Sequence, residues 1–243
     1  MGLPVAELLK IPVGVTAFIG AGGKSELIGA VAKTLPGSVL VCSSYFYYPI
    51  RGAAFLSLSD ISPEIEEEKL KILLSENQVV CTGQMMTGTR KLGPSTLSVD
   101  ILRSLAQFIL VEADVSHGYP VKAHTDNEPC LPDRPNCVVR VVGAEGFNKP
   151  IREAVDHPEI FQLLTGCAED ALARPDLVAK AINNERLPIE RPGKREHFYF
   201  EKRAFINHVD SKERLEQAKL FAETLKEDYI VAGNVSLNAY KRF

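Results

Sequence analysis

VTAFIGAGGKSELIGAVA, Val15 to Ala32, runs from an apolar strand pattern through Gly20, Ala21, Gly22 and Gly23 into Lys24, Ser25 and a helix. A strand, a glycine-rich turn and a helix in this order present backbone N–H groups and the positive end of a helix dipole to an anion. Lysine adds a point charge for terminal phosphates, and a serine hydroxyl is suited to Mg2+. The pattern is shorter than a full Walker loop, because Phe18 stands six residues before Lys24 where glycine belongs. The alternative is a tight turn that only lets the helix pack on its sheet.

A dinucleotide fold fails two tests. Ser25 occupies the third glycine position of a GxGxxG motif begun at Gly20, and the second strand ends in LVCSSYF, with no acid to hold a ribose. Two later segments favour a nucleoside triphosphate. FILVEAD is an apolar strand ending in Glu112 and Asp114, where a carboxylate that organises Mg2+ belongs in a P-loop protein. AFINHVD places Asn207 and Asp210 after a late strand at a spacing suited to guanine; the competing reading makes Asp210 a helix cap.

Around these segments, β-rich runs alternate with helical patterns. Strands are predicted at 13–19, 39–43, 78–82, 108–113, 137–142, 204–207 and 229–232, and helices at 24–34, 63–76, 95–106, 158–164, 175–183 and 212–226. Near-continuous apolar strands separated by helices predict an α/β fold, a doubly wound, mostly parallel sheet of P-loop NTPase type with a small helical insertion. The expected organisation is a nucleotide-binding core over 1–150, a mainly helical insertion or cap over 151–195, and a strand–helix–strand unit over 196–243 that completes the sheet. EIEEEKLK reads as the wet face of a helix, RPGKREHFYFEKR as a solvated connection, and Asp156-His157 as a helix cap. The segment 115–135 is too long for an ordinary strand-to-helix connection, a length often tied to function.

The 243 residues are 45% hydrophobic and 24% charged. A chain of this size buries about 70–75% of its unfolded surface, so folding requires no metal or disulfide. A net charge of −3 argues against nucleic acid or an anionic membrane as partner. Five cysteines without a CxxC pair, no membrane-length apolar run and an opening unlike a secretory signal predict a cytoplasmic location.

The loop GAGGKS and the segment EADVSHGYPVKAHTDNEPCLPDRPNCVVRVVGAEGFNKPI, Glu112 to Ile151, together resemble the YqeC-type selenium-dependent hydroxylase accessory proteins. The matching positions are Gly20, Gly22, Gly23, Lys24, Ser25, Glu112, Asp114, Ser116, Gly118, Pro120, Lys122, Ala123, Glu128 and Pro129. Departures are Glu26, Val115, His124 and Asn127, together with CSSYFYYP in place of a threonine-rich strand end. The resemblance implies a P-loop-like nucleotide-binding fold and an accessory role near a molybdenum hydroxylase or a cofactor-handling protein. On this reading Gly20 to Glu26 cradle ATP or GTP, Ser25 and Asp114 hold Mg2+, and Lys24, Glu112, Asp114 and Lys122 serve the chemistry. Lys122 alternatively pairs with Asp126 in an exposed loop. His117, His124, Cys130 and Asp126 lack a recognised metal-ligand spacing. A small-molecule kinase and a non-hydrolysing nucleotide- or anion-sensing module remain as alternative functions.

Overall fold

The computed structural model describes residues 3–58, 61–188 and 199–243. In chain order the elements are α1 (Val5–Leu8), β1 (Gly14–Gly20), α2 (Lys24–Ala32), β2 (Val39–Ser43), β3 (Ala54–Leu58), α3 (Pro63–Glu76), β4 (Val79–Gln84), α4 (Val99–Leu105) and β5 (Phe108–Glu112). They continue with β6 (Val121–Lys122), β7 (Cys137–Gly143), a 3-10 turn (Ala144–Gly146), α5 (Ile151–Ala154), β8 (Val155–Asp156), α6 (Pro158–Thr165) and α7 (Pro175–Asn184). The chain closes with β9 (Glu201–Asn207), α8 (Lys212–Thr224), β10 (Tyr229–Asn234) and β11 (Ala239–Arg242).

Nine strands form one sheet in the order β11-β10-β9-β7-β1-β5-β2-β4-β3, parallel throughout except for the terminal β10–β11 pair. The fold is therefore α/β with a doubly wound, mostly parallel sheet. Strand alternation sorts the side chains onto two faces. Phe18, Val39, Val41, Val139, Val141 and Phe205 meet Leu27, Ile28 and Val31 of α2 on one face. Val15, Ala17, Leu40 and Ile109 meet Leu70 of α3 and Leu102 of α4 on the other. Farther along that second face, Val142, Ala204 and Ile206 pack against α6, α7 and α8 through Phe161, Val178 and Phe221. β1 lies between β5 and β7, so its carboxyl end sits where successive connections leave in opposite directions. Ligands bind at such points in open α/β sheets.

Three local expectations need correction. Glu66, inside EIEEEKLK, is fully buried, and its carboxylate accepts from Ser95 Oγ at 2.6 Å, from Thr82 Oγ1 at 3.3 Å and from the Thr96 N–H at 3.2 Å. The helical period turns one acid of this run inward, and these three donors together with the Thr96 hydroxyl satisfy it. Glu201 to Arg203, the end of RPGKREHFYFEKR, belong to β9 with Arg203 buried; residues 191–198 lie outside the described residues. His157 does occupy the N-cap position of α6, without a side-chain hydrogen bond, whereas Asp156 lies in β8, paired in register with Lys122 of β6.

All five cysteines are free thiols. Among the described residues, no helix is long and apolar enough to cross a membrane.

Candidate functional site

The turn after β1 is made possible by glycine. Gly20, Gly22 and Gly23 have φ of +95°, +83° and +104°, and a Cβ on Gly20 or Gly22 would collide with the β7 backbone at Val141 and Gly143. The loop thus lies flat on the neighbouring strand before α2 begins. The first two amides of the loop are used: Gly20 N–H donates to Asp114 Oδ2 at 2.6 Å and Ala21 N–H to the Val141 carbonyl at 3.0 Å. The next four, from Gly22 to Ser25, have no acceptor among the described residues. They surround the N-terminus of a nine-residue helix, where an anion is favoured by both hydrogen bonding and the dipole.

Lys24 is almost fully buried at 2% exposure, its ammonium turned inward. Its Nζ lies 2.8 Å from Asp114 Oδ1 and donates to the Gly20 carbonyl at 2.5 Å. Burial pushes the Asp114 carboxyl up, but the Lys24 charge and then His124 outweigh it, and the group sits well below the usual carboxylate range.

The residue expectation paired Ser25 with Asp114, whereas the structure pairs Ser25 with Glu112. Ser25 Oγ lies 2.9 and 3.2 Å from the two Glu112 carboxylate oxygens. The strand β5 ends at Glu112, so Asp114 no longer follows its alternation and turns under the loop instead. Its oxygens are engaged there by Lys24, His124 and Gly20. The carboxylate beside the serine is therefore Glu112, pushed up to about 7 by burial against the opposing pull of Lys24 and Ser25. Ser43 Oγ and the Ser44 N–H, at the end of β2, both bind the Glu112 carbonyl, at 2.8 and 3.0 Å, and fix this strand end.

Behind Asp114 runs a buried chain of ions that the sequence alone does not reveal. His124 Nε2 is 2.6 Å from Asp114 Oδ2, and its Nδ1 is 2.9 Å from Glu185 Oε1. Arg140 Nη1 donates to the other Glu185 oxygen at 2.5 Å. Burial favours neutral imidazole, yet the two carboxylates win and raise the His124 pKa. Burial likewise raises Glu185, but Arg140 and His124 hold it down to about 2. One signal in the sequence pointed here: Arg140 interrupts the otherwise apolar CVVRVVG, and a buried arginine needs a carboxylate.

The buried ammonium of Lys122 contacts Glu128 at 2.5 Å, the Val115 carbonyl at 2.5 Å and Asp156 at 3.6 Å, bracing the long segment between β5 and β7. Glu26 accepts from Ser236 at 2.6 Å and from Asn207 at 3.4 Å. Asn207, fully buried, donates to the Gly22 carbonyl at 3.0 Å, while the carboxylate of Asp210 is held by Arg214 at 3.0 Å.

Two cavities open at Ser25. One, of about 130 Å³, is bounded by Glu112, Ser116 and Lys91, a lysine that sequence patterns did not single out. The Lys91 ammonium lies 4.2 Å from the centre of the Phe46 ring. The other, of about 570 Å³, runs along α2. Among the described residues, no three His, Cys, Asp or Glu side chains gather as a self-sufficient metal site.

Fold and loop together define an α/β protein with a P-loop-like turn at the switch point of its sheet. The family model described as YqeC protein matches residues 16–159, more than half of the chain, and the chain belongs to that family. It is 27% identical over 179 residues to the uncharacterized protein YqeC of Escherichia coli (strain K12), an alignment covering 68% of this chain and 66% of that protein. No solved structure matches the chain.

Proposed function

We propose that this chain binds a nucleoside triphosphate with Mg2+ through the Gly20–Ser25 loop and works as an accessory protein. The family resemblance suggests the maturation of a selenium-dependent molybdenum hydroxylase, or of its cofactor, as the setting. The observation that carries the nucleotide reading is the set of four unused amides from Gly22 to Ser25, beside a buried lysine. The first N–H groups of a helix need acceptors from outside it, and no side chain caps these, so four together around one helix end suit an anion with several oxygens.

The residues fit a divalent ion only in part. Ser25 Oγ and Glu112 are adjacent and face the small cavity, whereas Asp114 has its oxygens committed to Lys24, His124 and Gly20. Ser25 and Glu112 would hold the ion, with phosphate oxygens completing its shell, and Asp114 would act from behind by fixing Lys24. Mg2+ would supply charge neutralisation at the terminal phosphates. Lys24 would exchange Gly20 and Asp114 for phosphate oxygens. Glu112, whose pKa burial raises to about 7 in the absence of the ion, would be kept ionised by Mg2+ and would serve as its ligand.

Calorimetric titration with Mg-ATP and Mg-GTP tests the reading. Lys24→Ala is expected to weaken binding by roughly ten- to 150-fold, since a hydrogen bond to a charged group contributes about 1.5–3 kcal/mol. Equal affinity in wild type and variant would leave the loop as a turn. Phosphate release under saturating nucleotide then separates a hydrolase from a binding module.

A further inference from the structure

The larger cavity at the loop has no role in the phosphate chemistry just described. It is a groove of about 570 Å³ that starts at Ser25 and Glu26 and follows α2 past Gly29. The segment carrying Tyr48 forms one wall and the β10–β11 hairpin carrying Tyr240 the other. The volume lies within the range of about 300–1,000 Å³ that small-ligand sites occupy. The 130 Å³ cavity beside Glu112 falls below that range. Of these two cavities, the groove is the one large enough for the body of a molecule whose phosphates sit on the Gly22–Ser25 amides.

We infer that this groove seats the nucleoside of the bound nucleotide, with the base stacked on Tyr48 and the sugar over Gly29. The inference rests on the nucleotide reading above. Three observations favour this occupant. Glu26, at the junction of loop and groove, has its carboxylate oxygens already taken by the Ser236 hydroxyl and the Asn207 amide, which offsets its negative charge on the path from phosphate to sugar. Gly29 leaves the helix surface bare where a side chain would fill the groove. Tyr48, 59% exposed, offers an aromatic platform next to the loop. Every base has a π-face, so stacking of this kind tolerates any of them. Asp210 belongs to a separate cavity of about 400 Å³ that includes neither Ser25 nor Lys24, and its carboxylate is paired with Arg214. The groove therefore takes ATP and GTP with similar affinity.

The test is calorimetric titration of the full chain with Mg-ATP, Mg-GTP and Mg-tripolyphosphate, for wild type, Tyr48→Ala and Gly29→Leu. A Cβ at Gly29 meets only Ile50 side-chain carbons, the nearest at 3.8 Å, which is ordinary contact, and leucine also favours the helix, so this variant folds. Both variants should weaken ATP and GTP about fivefold or more, the scale of one lost stacking contact, while binding tripolyphosphate as wild type does. Unchanged nucleotide affinity in both variants, or an equal loss for tripolyphosphate, overturns the groove assignment alone. Failure of the wild type to bind any of the three overturns the nucleotide reading, and the groove assignment with it.

Discussion

A lysine beside a buried carboxylate ordinarily keeps it ionised, yet Glu112 is pushed up to about 7 while Asp114 is held low. The difference lies in how Lys24 divides its charge. Its ammonium sits 2.8 Å from Asp114, whereas Glu112 has a serine hydroxyl as its hydrogen-bond donor and bears the cost of burial. The consequence for stability has a definite sign. Between its ordinary value of 4.5 and about 7, Glu112 holds a proton in the folded chain that the unfolded chain has released. Stability must therefore fall as pH rises through this window, by about 3 kcal/mol for this group. Glu185 and Asp114, both depressed, act in the opposite sense and at lower pH, where stability is lost as they take up protons. Urea unfolding at pH 5 and pH 8 checks the assignment. Glu112→Gln should flatten the decline, and an undiminished decline would show that another group titrates. Single residues were legible in uneven degree. Lys24, Ser25 and Glu112 stood out because strand, turn and acid are local patterns. Which of Glu112 and Asp114 would face Ser25 was not legible, because it depends on where β5 ends.

At the level of elements, the core strands and the long helices could be read because each carries an apolar period of its own. β3 and β11 could not. Both lie at sheet edges with mostly half-exposed or exposed side chains, and AFLSL and AYKR lack the apolar run of a buried strand. The link between α7 and the loop was hidden for another reason: His124, Arg140 and Glu185 come from a connection, a strand and the residue after a helix, and only the folded sheet brings them together. This link has a measurable strength. Glu185→Gln leaves Arg140 and His124 buried without the carboxylate they share. Breaking a buried pair in this way costs about 3–5 kcal/mol. Replacing Arg140 and Glu185 together by methionine should recover part of the loss, because no orphaned charge then remains between them. Chemical denaturation of the single and double variants measures both. A loss below about 1 kcal/mol, the scale of a surface pair, would mean that the ions are solvated.

Across the whole molecule, the β1 loop joins the two sets of helices that cover the second face of the sheet. Glu112 ends a strand packed on α3 and α4, while Asp114 reaches through His124 to Glu185 at the end of α7. Lys24 is the ion that closes this chain, held by Asp114 and Gly20. An arriving phosphate has to compete for an ammonium that already has partners, so binding exchanges contacts rather than only adding them. The net gain is still readable as stability. Free nucleotide at 100 times its dissociation constant stabilises the folded chain by about 2.7 kcal/mol, which raises the melting temperature by roughly 5–10 °C for a chain of this size. Adenosine and guanosine, which place nothing on the Gly22–Ser25 amides, should give a far smaller shift at the same concentration. Lys24→Met should melt lower than wild type without ligand, because Asp114 loses its cation, and should lose most of the nucleotide-induced rise. A thermal-shift series with Mg-ATP, Mg-GTP and the two nucleosides decides it. An equal rise with nucleoside and nucleotide would place the binding energy in the groove and leave the loop amides without an anion.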